Sequence, residues 1–193
     1  MTKDFFNVVL LGAPGSGKGT QADLLKDKYQ LIHASTGDLY RKEMAVCSLL
    51  GLKAKSIIER GDLCPDELTL DMLYQFCNTH QNANGFLLDG VPRTIEQAEM
   101  MEGKGYPHII PVSVAIYLTV DEDEVVERLA KRAILLNRAD DTPEVIRQRI
   151  TNYEKQTKPL VAHYHAQNKL FEINGMQSVE NVFFDICKII DMY

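Results

Sequence analysis

A chain of 193 residues, 45% hydrophobic and 25% charged, has the size and balance of a single globular domain with a substantial core. Its net charge of −6 argues against general nucleic-acid binding, which needs surplus lysine and arginine. Its cysteines (Cys47, Cys64, Cys77, Cys187) are scattered without a C-x-x-C pair, which argues against a zinc or dithiol redox plan and suits a reducing compartment.

The start, Met-Thr-Lys-Asp-Phe-Phe, lacks a signal-peptide plan because Asp4 and Asn7 interrupt it. Val8-Val9-Leu10-Leu11 reads as a buried strand. It runs into Gly12-Ala13-Pro14-Gly15-Ser16-Gly17-Lys18-Gly19-Thr20-Gln21, where Gly12, Gly17 and Lys18 fit the G-x-x-x-x-G-K spacing of a phosphate-binding loop. The glycines let backbone N–H groups turn inward around an anion, and the following helix adds the positive end of its dipole. Gly19 follows the lysine, so the hydroxyl arrives one residue later than in the general motif, at Thr20.

Residues 17–29 read as an amphipathic helix with Ala22, Leu24, Leu25 and Tyr29 apolar, and 31–34 as a second short strand. Ser35 stands as an N-cap with Asp38 three residues on. Helical pattern follows through Leu39 and Met44 and again over 49–59, until Gly61 breaks it. Pro65-Asp66-Glu67 opens a helix to about Thr79. After a polar loop, Phe86-Leu87-Leu88 is a buried strand ending in Asp89-Gly90. Thr94 and Gln97 form a capping box for the next helix, and 112–118 is the clearest strand of the chain. Asp121 and Glu124 repeat the box ahead of Val125, Val126 and Leu129. Residues 133–141 break the pattern, and Thr142-Pro143-Glu144 starts a helix with Ile146, Ile150 and Tyr153 on one face to about Pro159, with more helix towards Gln167. Residues 170–173 form a last strand, Asn174-Gly175 a turn and 179–190 a closing helix. Strands separated by helices imply an α/β fold with a parallel sheet covered on both faces. The apolar stretch 109–120 contains Pro111 and is too short to span a bilayer, so a cytoplasmic protein with no membrane partner is expected.

Gly12–Gln21 together with Gly85–Arg93 (Gly-Phe-Leu-Leu-Asp-Gly-Val-Pro-Arg) resembles the nucleoside monophosphate kinases, most closely their adenylate kinase branch. Ser35–Arg41, Gly61–Asp66, Arg138–Asp141 and Arg147–Arg149 add to the resemblance, which covers essentially the whole chain. Val91 departs from it, because the family usually has an aromatic there. The resemblance implies a P-loop NTPase fold: a five-stranded parallel sheet flanked by helices, with 1–193 as one kinase domain. It further implies two small mobile inserts, a monophosphate-binding one at 35–64 and a short lid at 127–142. A long lid with zinc-binding cysteines is absent from the sequence, so no zinc is expected.

On that resemblance the reaction is transfer of the ATP γ-phosphoryl to AMP, with Mg²⁺ accompanying ATP and a monomeric protein. Such transfer needs in-line positioning and positive charge more than a strong base. ATP would meet Gly15, Ser16, Gly17, Lys18, Gly19 and Thr20, with Arg128 packing on the adenine and the backbone near Gln177 beyond it. AMP would meet Thr36, Arg41, Asp62, Leu63, Cys64, Gly90, Val91, Pro92, Arg93 and Gln97. Lys18, Arg93, Arg132, Arg138 and Arg149 would be catalytic, Arg138 and Arg149 also touching AMP. Asp89, ending a strand near the loop, would hold Mg²⁺ through water, and Asp38 is a weaker candidate for that network. Asp140 and Asp141 would orient lid arginines. His163 and His165, at i, i+2, would point apart on a helix and support no metal site.

Three other readings compete. A regulatory GTPase would need N-K-x-D and D-x-x-G, and Asn168-Lys169-Leu170-Phe171 lacks the aspartate. A nucleotide-binding regulatory protein without turnover does not need arginines on the acceptor side. A UMP/CMP kinase is the nearest rival, against which Thr36 and Gln97 stand where adenine is read. The aliphatic run Ile134-Leu135-Leu136 is unusual for a lid and would tuck beneath it or be covered on closure.

Overall fold

The computed structural model describes residues 5–121, 124–125, 127–129 and 142–193. Its strands are Val8–Gly12 (β1), Ile32–Ser35 (β2), Phe86–Asp89 (β3), Val114–Thr119 (β4) and Leu170–Asn174 (β5). They form one sheet in the order β2-β3-β1-β4-β5, every pairing parallel, as the α/β reading requires. The helices are Lys18–Tyr29 (α1), Thr36–Ala45 (α2), Leu49–Glu59 (α3), Asp66–Asn78 (α4), Ile95–Met101 (α5), Pro143–Asn152 (α6), Leu160–Ala166 (α7) and Val179–Ile190 (α8), together with the helical residues 124–125 and 127–129.

β1 is buried along its whole length because it is central and both faces are covered. Val8 and Leu10 pack with Leu25 of α1 and Val182, Ile186 and Ile190 of α8. Val9 and Leu11 pack on the other side with Leu70 and Leu73 of α4, Met101 of α5 and Leu160 and Tyr164 of α7. Each such Val or Leu contributes about 1.5–3 kcal/mol when fully buried. Asn7, buried just ahead of β1, stitches three chain segments: its amide donates to the Pro111 carbonyl (2.8 Å) and its Oδ1 accepts from the Phe86 N–H (3.0 Å). The helix pair α2–α3 has a small core of its own, Tyr40 and Ala54 closing on Cys64 and Met72.

Three of the capping signals form N-cap hydrogen bonds. Ser35, Thr94 and Thr142 each accept from the N–H three residues on, at Asp38, Gln97 and Val145. Two expectations need correction. Leu24 is 40% exposed, and Gln21 takes the inward position instead, its Nε2 donating to the Val179 carbonyl at 3.0 Å. The long helix expected to Pro159 stops at Asn152 and continues as one π-helical turn, Tyr153–Thr157. Pro159 has no N–H to continue the ladder, and Lys158 closes it one residue wide, N–H to the Tyr153 carbonyl at 2.9 Å. No helix among the described residues is long and apolar enough to cross a membrane.

The four thiols sit in unlike surroundings: Cys47 is exposed, Cys77 half-buried, Cys64 and Cys187 buried. Burial pushes the Cys64 thiol up and the Cys77 thiol up to about 12, so both stay protonated and unreactive at neutral pH. A neutral maleimide should therefore label Cys47 at least tenfold faster than the other three by peptide mass spectrometry. Equal labelling of Cys64 in the folded protein would contradict this packing.

Candidate active site

The loop after β1 turns tightly because glycine allows it. At Gly12, with φ of 146°, a Cβ would stand 2.8 Å from the Leu118 carbonyl oxygen and 2.6 Å from Ser16 Oγ. Gly17, the N-cap of α1, carries no side chain that could cap the helix. Lys18 curls back over this loop, Nζ donating to the Gly12 and Ala13 carbonyls at 2.8 and 2.9 Å and to Ser16 Oγ at 3.3 Å.

Parallel pairing of β3 with β1 sets Asp89 opposite Leu10, so its carboxylate enters the same cleft. Burial works to raise its pKa. The contact with His33 and the charges of Lys18 and Arg93 outweigh that and hold the carboxyl below the usual range, so it stays ionised. His33 Nε2 lies 3.5 Å from Asp89 Oδ2, with both side chains mostly covered. Nothing in the sequence alone marks His33, because only the β2–β3 pairing brings it beside Asp89.

The opposite wall starts where β2 hands over to α2. Thr36 Oγ1 donates to the Gly90 carbonyl at 3.0 Å, and Arg41 pairs with Asp38 on the same helix. Burial opposes ionisation of Asp38, but hydrogen bonds from Arg41 and Ser35 lower its pKa. Asp38 is thereby the partner of a cleft arginine as well as a capped residue. Arg93 is folded over the turn after β3, Nε donating to the Gly90 carbonyl at 2.8 Å, its N–H to Gln97 Oε1 at 2.7 Å, and its carbonyl accepting from Thr157 of the π-helical turn at 2.9 Å. Burial pulls the Arg93 pKa down from its high ordinary value, with Asp89 opposing. Gln97 Nε2 donates to Asp66 Oδ1 at 2.8 Å. Val91, expected at the acceptor pocket, turns instead into the sheet core at 1% exposure, because the neighbouring Gly90, Pro92 and Arg93 take the cleft side.

Asp62, on the cavity lining, accepts from Gln148 Nε2 at 2.9 Å and from Arg60 at 3.2 Å. The neighbouring Gly61 carbonyl accepts from buried Asn152 at 2.9 Å, which ties the end of α3 to α6. At the far edge Arg128 donates to Glu124 (2.8 Å) and to the Gly175 carbonyl (3.2 Å), and Gln177 donates to Asp185 (3.1 Å). His163, paired with Gln167 and Glu102, lies away from the site.

One cavity of about 1090 Å³ joins these walls. It is lined by Gly15–Thr20, Arg128 and Gln177 on one side and by Thr36, Arg41, Asp62, Leu63, Cys64, Gly90, Pro92, Arg93, Gln97 and Arg149 on the other, with Asp89 between. Arg132, Arg138, Asp140, Asp141 and the Ile134–Leu136 run lie outside the described residues. His33, Asn152 and Thr157 also line the cavity, and Asp66 holds the Gln97 amide; no local sequence pattern marks them, because each contacts a partner distant in sequence.

A family model described as adenylate kinase matches residues 10–169. A protein from Bacteroides fragilis is 42% identical over 185 residues, 96% of this chain and 98% of its own length, and is named adenylate kinase. Proteins of the same name from Xanthomonas campestris pv. campestris and Parabacteroides distasonis are 45% and 44% identical, covering 91% and 92% of this chain and 94% and 93% of their own.

Proposed function

The chain belongs to the adenylate kinase family and is a phosphotransferase acting between ATP and AMP, and we propose that its cleft works by positioning and fixed charge. The observation that carries this reading is the shared cavity, with a phosphate loop on one wall and two acceptor-side arginines on the other. Its volume of about 1090 Å³ lies just above the range of about 300–1,000 Å³ usual for one small-molecule ligand, which suits two nucleotides end to end.

In this reading the loop backbone from Gly15 to Thr20 and Lys18 hold the ATP phosphates, while Arg128 and the Gly175–Gln177 turn flank the base. Arg41 and Arg93 clamp the AMP phosphate, and Leu63, Cys64 and Gln97 surround its base. Arg149, with Arg132 and Arg138, surrounds the phosphoryl in flight, and water is kept out by closure of 127–142 over the donor and of 35–64 over the acceptor. Lys18 must leave its carbonyls to meet a phosphate, so those hydrogen bonds hold it ready rather than spend its charge.

Asp89 suits Mg²⁺ brought by ATP. It is one ionised, mostly covered carboxylate beside the loop, and no group of three or more His, Cys, Asp or Glu forms a cage among the described residues. Such a site fits an ion that keeps its waters and is held chiefly by phosphates. When bound, that ion would neutralise phosphate charge; Asp89 would orient its waters.

A coupled assay supplying ATP with AMP, CMP or UMP tests the reading. AMP should be preferred over either pyrimidine by about 100-fold or more in kcat/KM, because a site built to hydrogen-bond one base leaves its groups unpaired against another. Comparable turnover of UMP or CMP would assign the acceptor site to pyrimidines instead.

A further inference from the structure

We propose that Asp66 is a positioning residue for acceptor-base recognition: it sets which end of the Gln97 carboxamide faces which way. This rests on the reading of Gln97 as a contact of the acceptor base. Gln97 is 2% exposed, and its carboxamide is held at both ends. Oε1 accepts from the Arg93 N–H at 2.7 Å and Nε2 donates to Asp66 Oδ1 at 2.8 Å. A backbone N–H can only donate and a carboxylate can only accept, so a flipped amide would set donor against donor and acceptor against acceptor. A carboxamide has two N–H donors and two acceptor lone pairs, and these hydrogen bonds use one of each. The remaining N–H and lone pair are thus fixed in direction.

Polarity is what a purine edge reports. Adenine presents an amino donor beside a ring acceptor, whereas the 6-oxopurine of IMP presents an acceptor beside a ring N–H donor. An amide of fixed polarity matches one edge and mismatches the other, and a freely turning amide tolerates both. The Arg93 lock is main-chain and cannot be varied. The Asp66 lock is a side chain 31 positions away on the first turn of α4, charge-assisted and therefore the stronger holder. Asp66 touches no substrate in this scheme; it acts through Gln97.

The test compares Asp66→Ala, Asp66→Asn and Gln97→Leu for kcat and KM with AMP and with IMP, alongside thermal melts. Asp66→Ala should raise the KM for AMP about tenfold and lower the AMP-over-IMP ratio of kcat/KM by a similar factor, with kcat within about threefold. Asp66→Asn, whose Oδ1 can still accept, should recover most of the ratio. If Gln97→Leu lowers the ratio and Asp66→Ala does not, the positioning role is wrong while the base reading stands. If Gln97→Leu also leaves the ratio unchanged, both fall. A parallel loss with AMP and IMP, with kcat and melting temperature dropping together, would make Asp66 a helix-end residue only and overturn the proposal as well.

Discussion

Replacing Lys18 by Met is expected to lower kcat by roughly 10³-fold while the protein stays folded. Met keeps the apolar stem and removes only the ammonium group. The hydrogen bonds from that group to Gly12, Ala13 and Ser16 lie within the loop's own turn. In the proposed reading, what disappears is a full charge available where phosphate oxygens gather negative charge in the transition state. One preorganised donor at such a place is worth about 10²–10³ in rate, and a charged one in a partly covered cleft belongs at the upper end. A coupled assay with matched thermal melts checks this. A decrease of less than about tenfold in an intact protein would show that the loop backbone alone carries the donor phosphates.

The largest effect on stability is expected at Gly85. A Cβ there would stand 1.9 Å from the Phe6 carbonyl oxygen and 2.7 Å from its carbon, and both are backbone atoms that cannot swing aside. The same crossing carries two backbone hydrogen bonds, Phe6 N–H to Asn84 at 3.3 Å and Ile32 N–H to Gly85 at 3.0 Å. Alanine must therefore push apart the starts of β1, β2 and β3. The expected cost is about 3 kcal/mol or more, near the upper end for a single substitution, and lowers the melting temperature by roughly 10 °C. A shift of less than about 2 °C would mean that the segment before β1 yields easily.

Gly85 also shows how far a sequence can be read. It stands first in a recognisable motif, yet its reason is a close crossing with residue 6 that no local pattern announces. The phosphate loop was legible because its glycines answer a local demand of the backbone. The capping threonines and Ser35 were legible for the same reason, since cap and N–H lie three residues apart. Leu24 is misplaced by apolar periodicity because the pattern cannot tell which neighbour a helix face will meet; Gln21 goes inward instead, where it donates to the Val179 carbonyl. The π-helical turn needed the geometry around Pro159. Asp66 and His33 were invisible as site residues because their partners, Gln97 and Asp89, are brought to them by packing and by strand pairing.

The cleft has a consequence for how fast nucleotides arrive. Lys18, Arg41, Arg93, Arg128 and Arg149 line one cavity beside Asp23, Asp38, Asp62 and Asp89, so its lining carries a slight positive excess in a chain whose net charge is −6. A polyanion is therefore expected to be drawn to the cleft rather than to the acidic surface around it, with low-dielectric walls focusing that excess. Encounter would thereby be biased towards productive orientation before any contact forms. Because counterions fade such fields over about 8 Å at physiological ionic strength, this guidance acts mainly in the last steps of approach and weakens with added salt.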